Sequence, residues 1–284
     1  MKCLQTSFIM VAVAAWSALA EFTYTVTGTQ AGKPIKPSDI VFESKEPSLY
    51  RLDTTIDAQP TPEDRGRRVK RTNPVYYSSN WCGAVQHSVT TNKITSVHAY
   101  FQVPTLSQRP GVSTFPQYVA TWVGIDGATW GSALLQSGVT SQLSSTGVQT
   151  NWAWLEWVPN AAYNIPSFPV ATGDWIEVTV SASSSTSGSM PRQVRLGKST
   201  HYFIAVNNGA PLGRVDAEWI MEDPATSGGL VPLARFTDTW FEDCSVSTAN
   251  GTTKGIDGAT MYYLSASKCT STEYDNADFW AASA

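Results

Sequence analysis

The chain has 284 residues, a formal charge of −4 and 15% charged residues, against about 25% in an ordinary soluble domain. No basic excess equips it for nucleic acid, and no later stretch rivals the short apolar run near its N-terminus, itself too short to span a bilayer. Eleven Trp and 20 Gly among many Ser and Thr give the texture of a secreted β-rich protein, not of a cytosolic α/β enzyme.

Lys2, the apolar stretch 8–15 and the small-residue site Ala18-Leu19-Ala20 read as a signal peptide over 1–20, cut after Ala20. The product is expected to be secreted, with no membrane anchor. Residues 21–71 hold nine Lys/Arg, eight Asp/Glu and five Pro, and end in Arg65-Gly66-Arg67-Arg68-Val69-Lys70-Arg71. A dibasic pair between a signal peptide and a compositionally distinct body suits a secretory processing protease, so 21–71 reads as a propeptide and 72–284 as the mature domain. That body keeps nine Lys/Arg against fifteen Asp/Glu, a formal charge near −6. A basic leader on an acidic body suggests that the leader masks an acidic cleft as an inhibitor.

Strand-like runs follow one another through the body: 97–103, 121–125, 152–158, 175–181, 202–206, 233–241 and 260–264. Turn signals separate them and no helical period is sustained, which predicts an all-β sandwich of two antiparallel sheets. Ser181–Ser189 reads as a flexible Ser/Thr/Gly loop, and Asn250-Gly251-Thr252 as a glycosylation sequon on a loop. Gly-Ile-Asp-Gly-Ala-Thr occurs at 124–129 and again at 255–260, as turn chemistry used twice. Once Cys3 leaves with the signal, Cys82, Cys244 and Cys269 remain; Cys244–Cys269 is the expected disulfide and Cys82 a buried thiol.

The densest chemistry lies in Asp216-Ala217-Glu218-Trp219-Ile220-Met221-Glu222-Asp223. As a strand it puts Asp216, Glu218, Ile220 and Glu222 on one face and Ala217, Trp219 and Met221 on the other. Crowded carboxylates cannot all ionise cheaply, so at least one pKa there must be perturbed. The same rule sets Trp122, Gly124 and Asp126 opposite Val123 and Ile125. It sets Trp152, Trp154, Glu156 and Val158 opposite Ala153, Leu155 and Trp157. Side by side, these strands make a groove with acidic centres and aromatic walls. No G-x-S-x-G or H-E-x-x-H occurs, and His87, His98 and His201 lack metal-ligand spacing. Carboxylates are therefore the chemistry that remains, with no metal and no cofactor expected.

Four stretches resemble the fungal glutamic peptidases, the eqolisins. They are 79–85 (Ser-Asn-Trp-Cys-Gly-Ala-Val), 122–127 (Trp-Val-Gly-Ile-Asp-Gly), 133–139 (Ala-Leu-Leu-Gln-Ser-Gly-Val) and 217–223 (Ala-Glu-Trp-Ile-Met-Glu-Asp), in the family's order. The resemblance implies an acid-active secreted endopeptidase, made as a preproenzyme on a lectin-like jelly roll and expected to work as a monomer. The catalytic Gln falls on Gln136 and the catalytic Glu on Glu222. Trp122, Asp126, Trp154, Glu156, Asn80 and Trp81 fall on substrate-binding positions. Leu155 and Val158 replace aromatic residues common in the family, and its cysteine pairs are absent.

Peptide hydrolysis suits those residues. A Glu222 carboxylate takes a proton from water and returns it to the leaving amine. The Gln136 amide steadies the oxyanion, a donor worth about 3 kcal/mol in the transition state. Asp126 and Glu156 are expected to act largely protonated. The competing readings are a glycoside hydrolase with Glu156 and Glu222 as its carboxylate pair, and a glycan-binding module that uses the Trp groove.

Overall fold

The computed structural model describes residues 23–30, 33–41, 43–44, 73–88, 91–194, 200–226, 228–265 and 268–284. The expected signal peptide, the basic run 65–71 and its dibasic pair lie outside the described residues.

The N-terminal strands are β1 (Thr23–Gln30), β2 (Lys33–Ile35) and β3 (Glu43–Ser44). The body continues with β4 (Val75–Ser78), β5 (Trp81–His87), β6 (Ile94–Gln102), β7 (Leu106–Ser107), β8 (Gln117–Ile125), β9 (Leu134–Leu143), β10 (Gln149–Val158) and β11 (Tyr163–Asn164). Next come β12 (Trp175–Ala182), β13 (Ser187–Val194), β14 (Thr200–Asn207), β15 (Asp216–Glu222), β16 (Ala225–Thr226), β17 (Gly229–Leu230) and β18 (Arg235–Phe236). The chain closes with β19 (Thr239–Thr248), β20 (Thr253–Lys254), β21 (Thr260–Leu264), β22 (Cys269–Glu273) and β23 (Phe279–Ser283).

These strands build the expected sandwich. One layer runs β11, β10, β9, β8, β15, β5, β21, with β4 added in parallel to β21. The other runs β14, β13, β12, β6, β19. At one side the layers are joined through β21, β22, β23 and β19. β12 and β6 alternate buried and half-buried residues, as strands with one face on a core should. β15 does not alternate: all seven of its residues are buried. It is a central strand covered on both faces, and its two faces differ only in chemistry.

The larger core lies between the layers and takes Ala217, Trp219 and Met221 from β15, together with Phe101, Val123, Leu155, Trp157 and Phe241. The Trp219 indole N–H reaches across to the His98 carbonyl at 2.8 Å, tying the layers at their centre. A second cluster, Trp81, Trp122, Leu134, Trp154, Ile220 and Tyr262, covers the opposite face of the first layer. Both face assignments for β8, β10 and β15 agree with the period-two reading.

Two expectations are corrected. The disulfide is Cys82–Cys269, not Cys244–Cys269, and Cys244 is the free, buried thiol. Closeness in sequence misled here: β22 packs beside β5 by way of β21, which brings Cys269 to within 6.0 Å of Cys82 (Cα–Cα) across 187 residues. The Ser-rich stretch is not a loop throughout, because β12 continues to Ala182 and β13 starts at Ser187. Only 183–186 turns, held by Ser183 Oγ on the Ser187 carbonyl at 3.1 Å. Gly188 permits the close pairing, since a Cβ there would lie 2.5 Å from the Ser181 carbonyl and 2.8 Å from Leu135.

Candidate active site

Strand register sets the site. On the outer face of the first layer, Glu218, Gly124, Gln136 and Glu156 stand in one row across β15, β8, β9 and β10. Ile220, Trp122, Gly138 and Trp154 form the next row, and Glu222, Ala120, Thr140 and Trp152 the one after. Gly138 is required where it stands, because a Cβ would collide with the Thr121 carbonyl and the Trp122 side chain. Its absence lets the Trp122 indole swing toward Glu222.

Glu222 is the focus of donors. Trp122 Nε1 donates to its Oε2 at 2.7 Å, and Asn80 Nδ2 and Trp81 Nε1 donate to its Oε1 at 3.1 and 3.3 Å. Trp81 and Trp122 meet edge to face with ring centroids 5.0 Å apart, so each indole fixes the other's direction. Asn80 is held in turn by the Ser78 hydroxyl, which donates to its side-chain oxygen at 3.3 Å. Burial drives the Glu222 pKa well above the ordinary Glu range, and the three N–H donors pull against it.

Gln136 donates to Glu156 Oε2 at 2.7 Å, while its Oε1 is buried without a partner. Burial also holds the Glu156 pKa well up; the Gln136 bond opposes that, and the charge of Glu222 adds to it. Register sets the Gln136–Glu156 pair two rows from Glu222 on the same face of the layer. The three are 0%, 1% and 0% exposed.

Asp126 and Asp216 anchor the end of the site. Asp126, at φ 69°, accepts from the backbone N–H groups of Arg214, Val215 and Asp216 at 2.7, 2.9 and 3.3 Å. Burial pushes its pKa up to about 6 against those bonds. Asp216 accepts from Thr129 N and Oγ1, both at 2.6 Å, from Trp130 N at 3.0 Å, and pairs with His87 Nδ1 at 2.9 Å. Burial raises its pKa, but the His87, Thr129 and Trp130 bonds outweigh it and the net shift is downward. The two aspartates therefore pin the loops 126–130 and 214–216 to each other.

The sequence did not single out Glu218 for a part of its own. It stands at the β15 end of the Gln136 row, two residues along the strand from Asp216, and no side chain donates to either of its oxygens. Burial drives its pKa well up, with Asp216 and Asp126 adding to it and the Ala128 N–H opposing weakly. Its place on the acidic face was legible; its lack of side-chain donors depends on which side chains come to rest above it. Among the described residues no cluster of His, Cys, Asp or Glu could hold a metal ion.

Residues 79–282 match the model of the Peptidase A4 family. Aspergillopepsin-2 of Aspergillus niger is 35% identical over 65% of this chain and 70% of its own length. Scytalidopepsin B of Scytalidium lignicola is 32% identical over 64% and 68%. A crystal structure of scytalido-glutamic peptidase with a transition state analog inhibitor superposes with a TM-score of 0.60 at 29% identity, covering 72% of this chain and 98% of that one. Aspergilloglutamic peptidase from Aspergillus niger superposes at 0.53 with 31% identity, over 59% and 99%. These likenesses remove the glycosidase and lectin readings, and the chain belongs to the Peptidase A4 family, the eqolisins, as a glutamic-type endopeptidase.

Proposed function

We propose that this protein is a secreted acid endopeptidase whose Gln136 and Glu222 act as a dyad on water and the scissile carbonyl. The observation that carries the reading is the convergence of three N–H donors on Glu222 beside the Gln136–Glu156 pair. Entry of substrate with water hydrates the site, which weakens the burial that raises the Glu222 pKa. The donors stay, and they favour the carboxylate. Glu222 then takes a proton from water, and Gln136 Nε2 turns from Glu156 to the oxyanion. Glu156, protonated in acid, accepts the Gln136 N–H in the resting site and holds that amide in place.

The leader, residues 21–71, acts as inhibitor until it is cut away at Lys70-Arg71. The opposite charge of leader and body supports this. Wild-type mature protein is expected to digest a denatured protein at about pH 3, below the ordinary Glu pKa. Glu222→Gln is expected to lower kcat/KM by about 10²–10⁴-fold, and Gln136→Ala by about 10²–10³-fold, both with an unchanged fold by circular dichroism. Full activity in either variant overturns the dyad.

A further inference from the structure

The two sides of the sandwich are closed by different means. At one side the layers are joined through β21, β22 and β23, and the Cys82–Cys269 bond fastens β22 to β5. At the other side β14 ends one layer and β11 the other, and the structure shows the N-terminal segment on both. β1 pairs with β14 through eight register positions, Thr23↔Asn207 to Gln30↔Thr200. β3 pairs with β11, Glu43↔Asn164 and Ser44↔Tyr163. Between them Ile35 and Ile40 pack against the core that lies between the layers.

The edge strands themselves argue that this cover belongs there. Bare edges carry Pro, Lys or a bulge to stop further pairing. β14 carries none of these over Tyr202-Phe203-Ile204-Ala205-Val206, and Phe203 is 49% exposed. The protection sits one hairpin further out. β2 pairs on the outer side of β1 and ends the sheet with Lys33-Pro34-Ile35, followed by an exposed Lys36. Pro34 has no N–H to offer a further strand.

We propose that the β14–β11 side of the sandwich is a strand-binding surface whose occupant is residues 23–44 of this chain. The segment is held there by pairing and by Ile35 and Ile40, so it stays docked when the chain is cut between it and the body. Cutting and release are then separate steps. The inference shares the leader with the reading above but does not depend on inhibition, because the docked residues lie on the sandwich edge.

The test uses the full chain without its signal peptide, in a Glu222→Gln background, with a specific protease site inserted after Arg71 to make the cut independent of natural processing. After cutting, the 21–71 fragment is expected to co-elute with the body on size exclusion and to be identified there by mass. Alternate amides of β14 are expected to keep their protection from hydrogen exchange. Ile35→Asp with Ile40→Asp is expected to weaken retention at least about tenfold, the scale of losing one buried aliphatic side chain. Separation of the wild-type fragment on cutting overturns the proposal, whether or not the double variant folds. Equal retention by wild type and double variant overturns the role of the two isoleucines. Proteolysis by the cut complex with an intact Glu222 is read separately: a docked fragment that fails to inhibit removes the inhibitory reading and leaves this one standing.

Discussion

Glu218 and Glu222 stand four residues apart on one strand and one face, and both are wholly buried. They differ in what points at them. Three side-chain N–H groups converge on Glu222, whereas no side chain donates to Glu218. Burial alone pushes both toward the neutral acid. The difference is that Glu222 has three side-chain donors aimed at its anion, while Glu218 has only the weakly opposing Ala128 N–H. Contact with water therefore separates two carboxyls that burial makes alike: the donors around Glu222 favour its anion, as the proposed base requires, and Glu218 lacks such a set.

The comparison breaks most completely if the strand that carries both is loosened. Trp219→Ala empties the core behind β15 and removes the indole bond to His98. It is expected to cost about 3–5 kcal/mol, read as a lowered urea midpoint with loss of activity tracking loss of fold. A change of activity without one of stability would mean that Trp219 is not the platform of this strand.

Trp122→Phe is a sharper cut. It keeps a ring over Gly124 and deletes the 2.7 Å donor to Glu222. A hydrogen bond to a charged group is worth about 1.5–3 kcal/mol. The acid limb of the kcat/KM profile is expected to move to higher pH, because the anion loses its shortest bond. An unmoved limb would mean that this donor does not set the Glu222 ionisation.

Glu218→Gln tests the other member of the pair through stability. Its raised pKa means that the native state holds a proton the unfolded chain releases. The Glu218 contribution is thus fully present below the ordinary Glu value of about 4.3, and declines as pH rises toward the folded pKa, by at most ~1.4 kcal/mol per pH unit. Asp126, raised to about 6, follows the same direction, and Asp216, lowered, runs the opposite way, losing stability as pH falls. Glu218→Gln is expected to flatten the decline between about pH 5 and neutrality while changing little in acid. Parallel curves for variant and wild type would show that Glu218 is not what couples this fold to acid.

Much of this was legible in single strands. Period two separated the Trp219 face from the Glu222 face on β15, and the same rule placed Trp122, Trp154 and Glu156 correctly because each lies in a regular strand. What failed depended on contacts between strands far apart in the chain. The partner of Cys269 is decided by the placement of β22 beside β5, and no spacing announces that. The β12–β13 hairpin escaped notice because Ser and Gly mark loops, yet here they allow close pairing. The backbone N–H groups that engage the Asp126 oxygens come from 214–216, a segment whose arrival beside it no local pattern predicts.

The Cys82–Cys269 bond also imposes an order on synthesis. At ~5–20 residues per second, Cys82 emerges roughly ten to forty seconds before its partner. Cys244 comes out 25 residues ahead of Cys269 and is a free thiol in the finished fold. Of the two body thiols downstream of Cys82, the wrong one therefore arrives first. The late pairing of β22 with β21 and β23 carries Cys269 to its place, so the final strands of the chain are the proofreaders of the Cys82–Cys269 link.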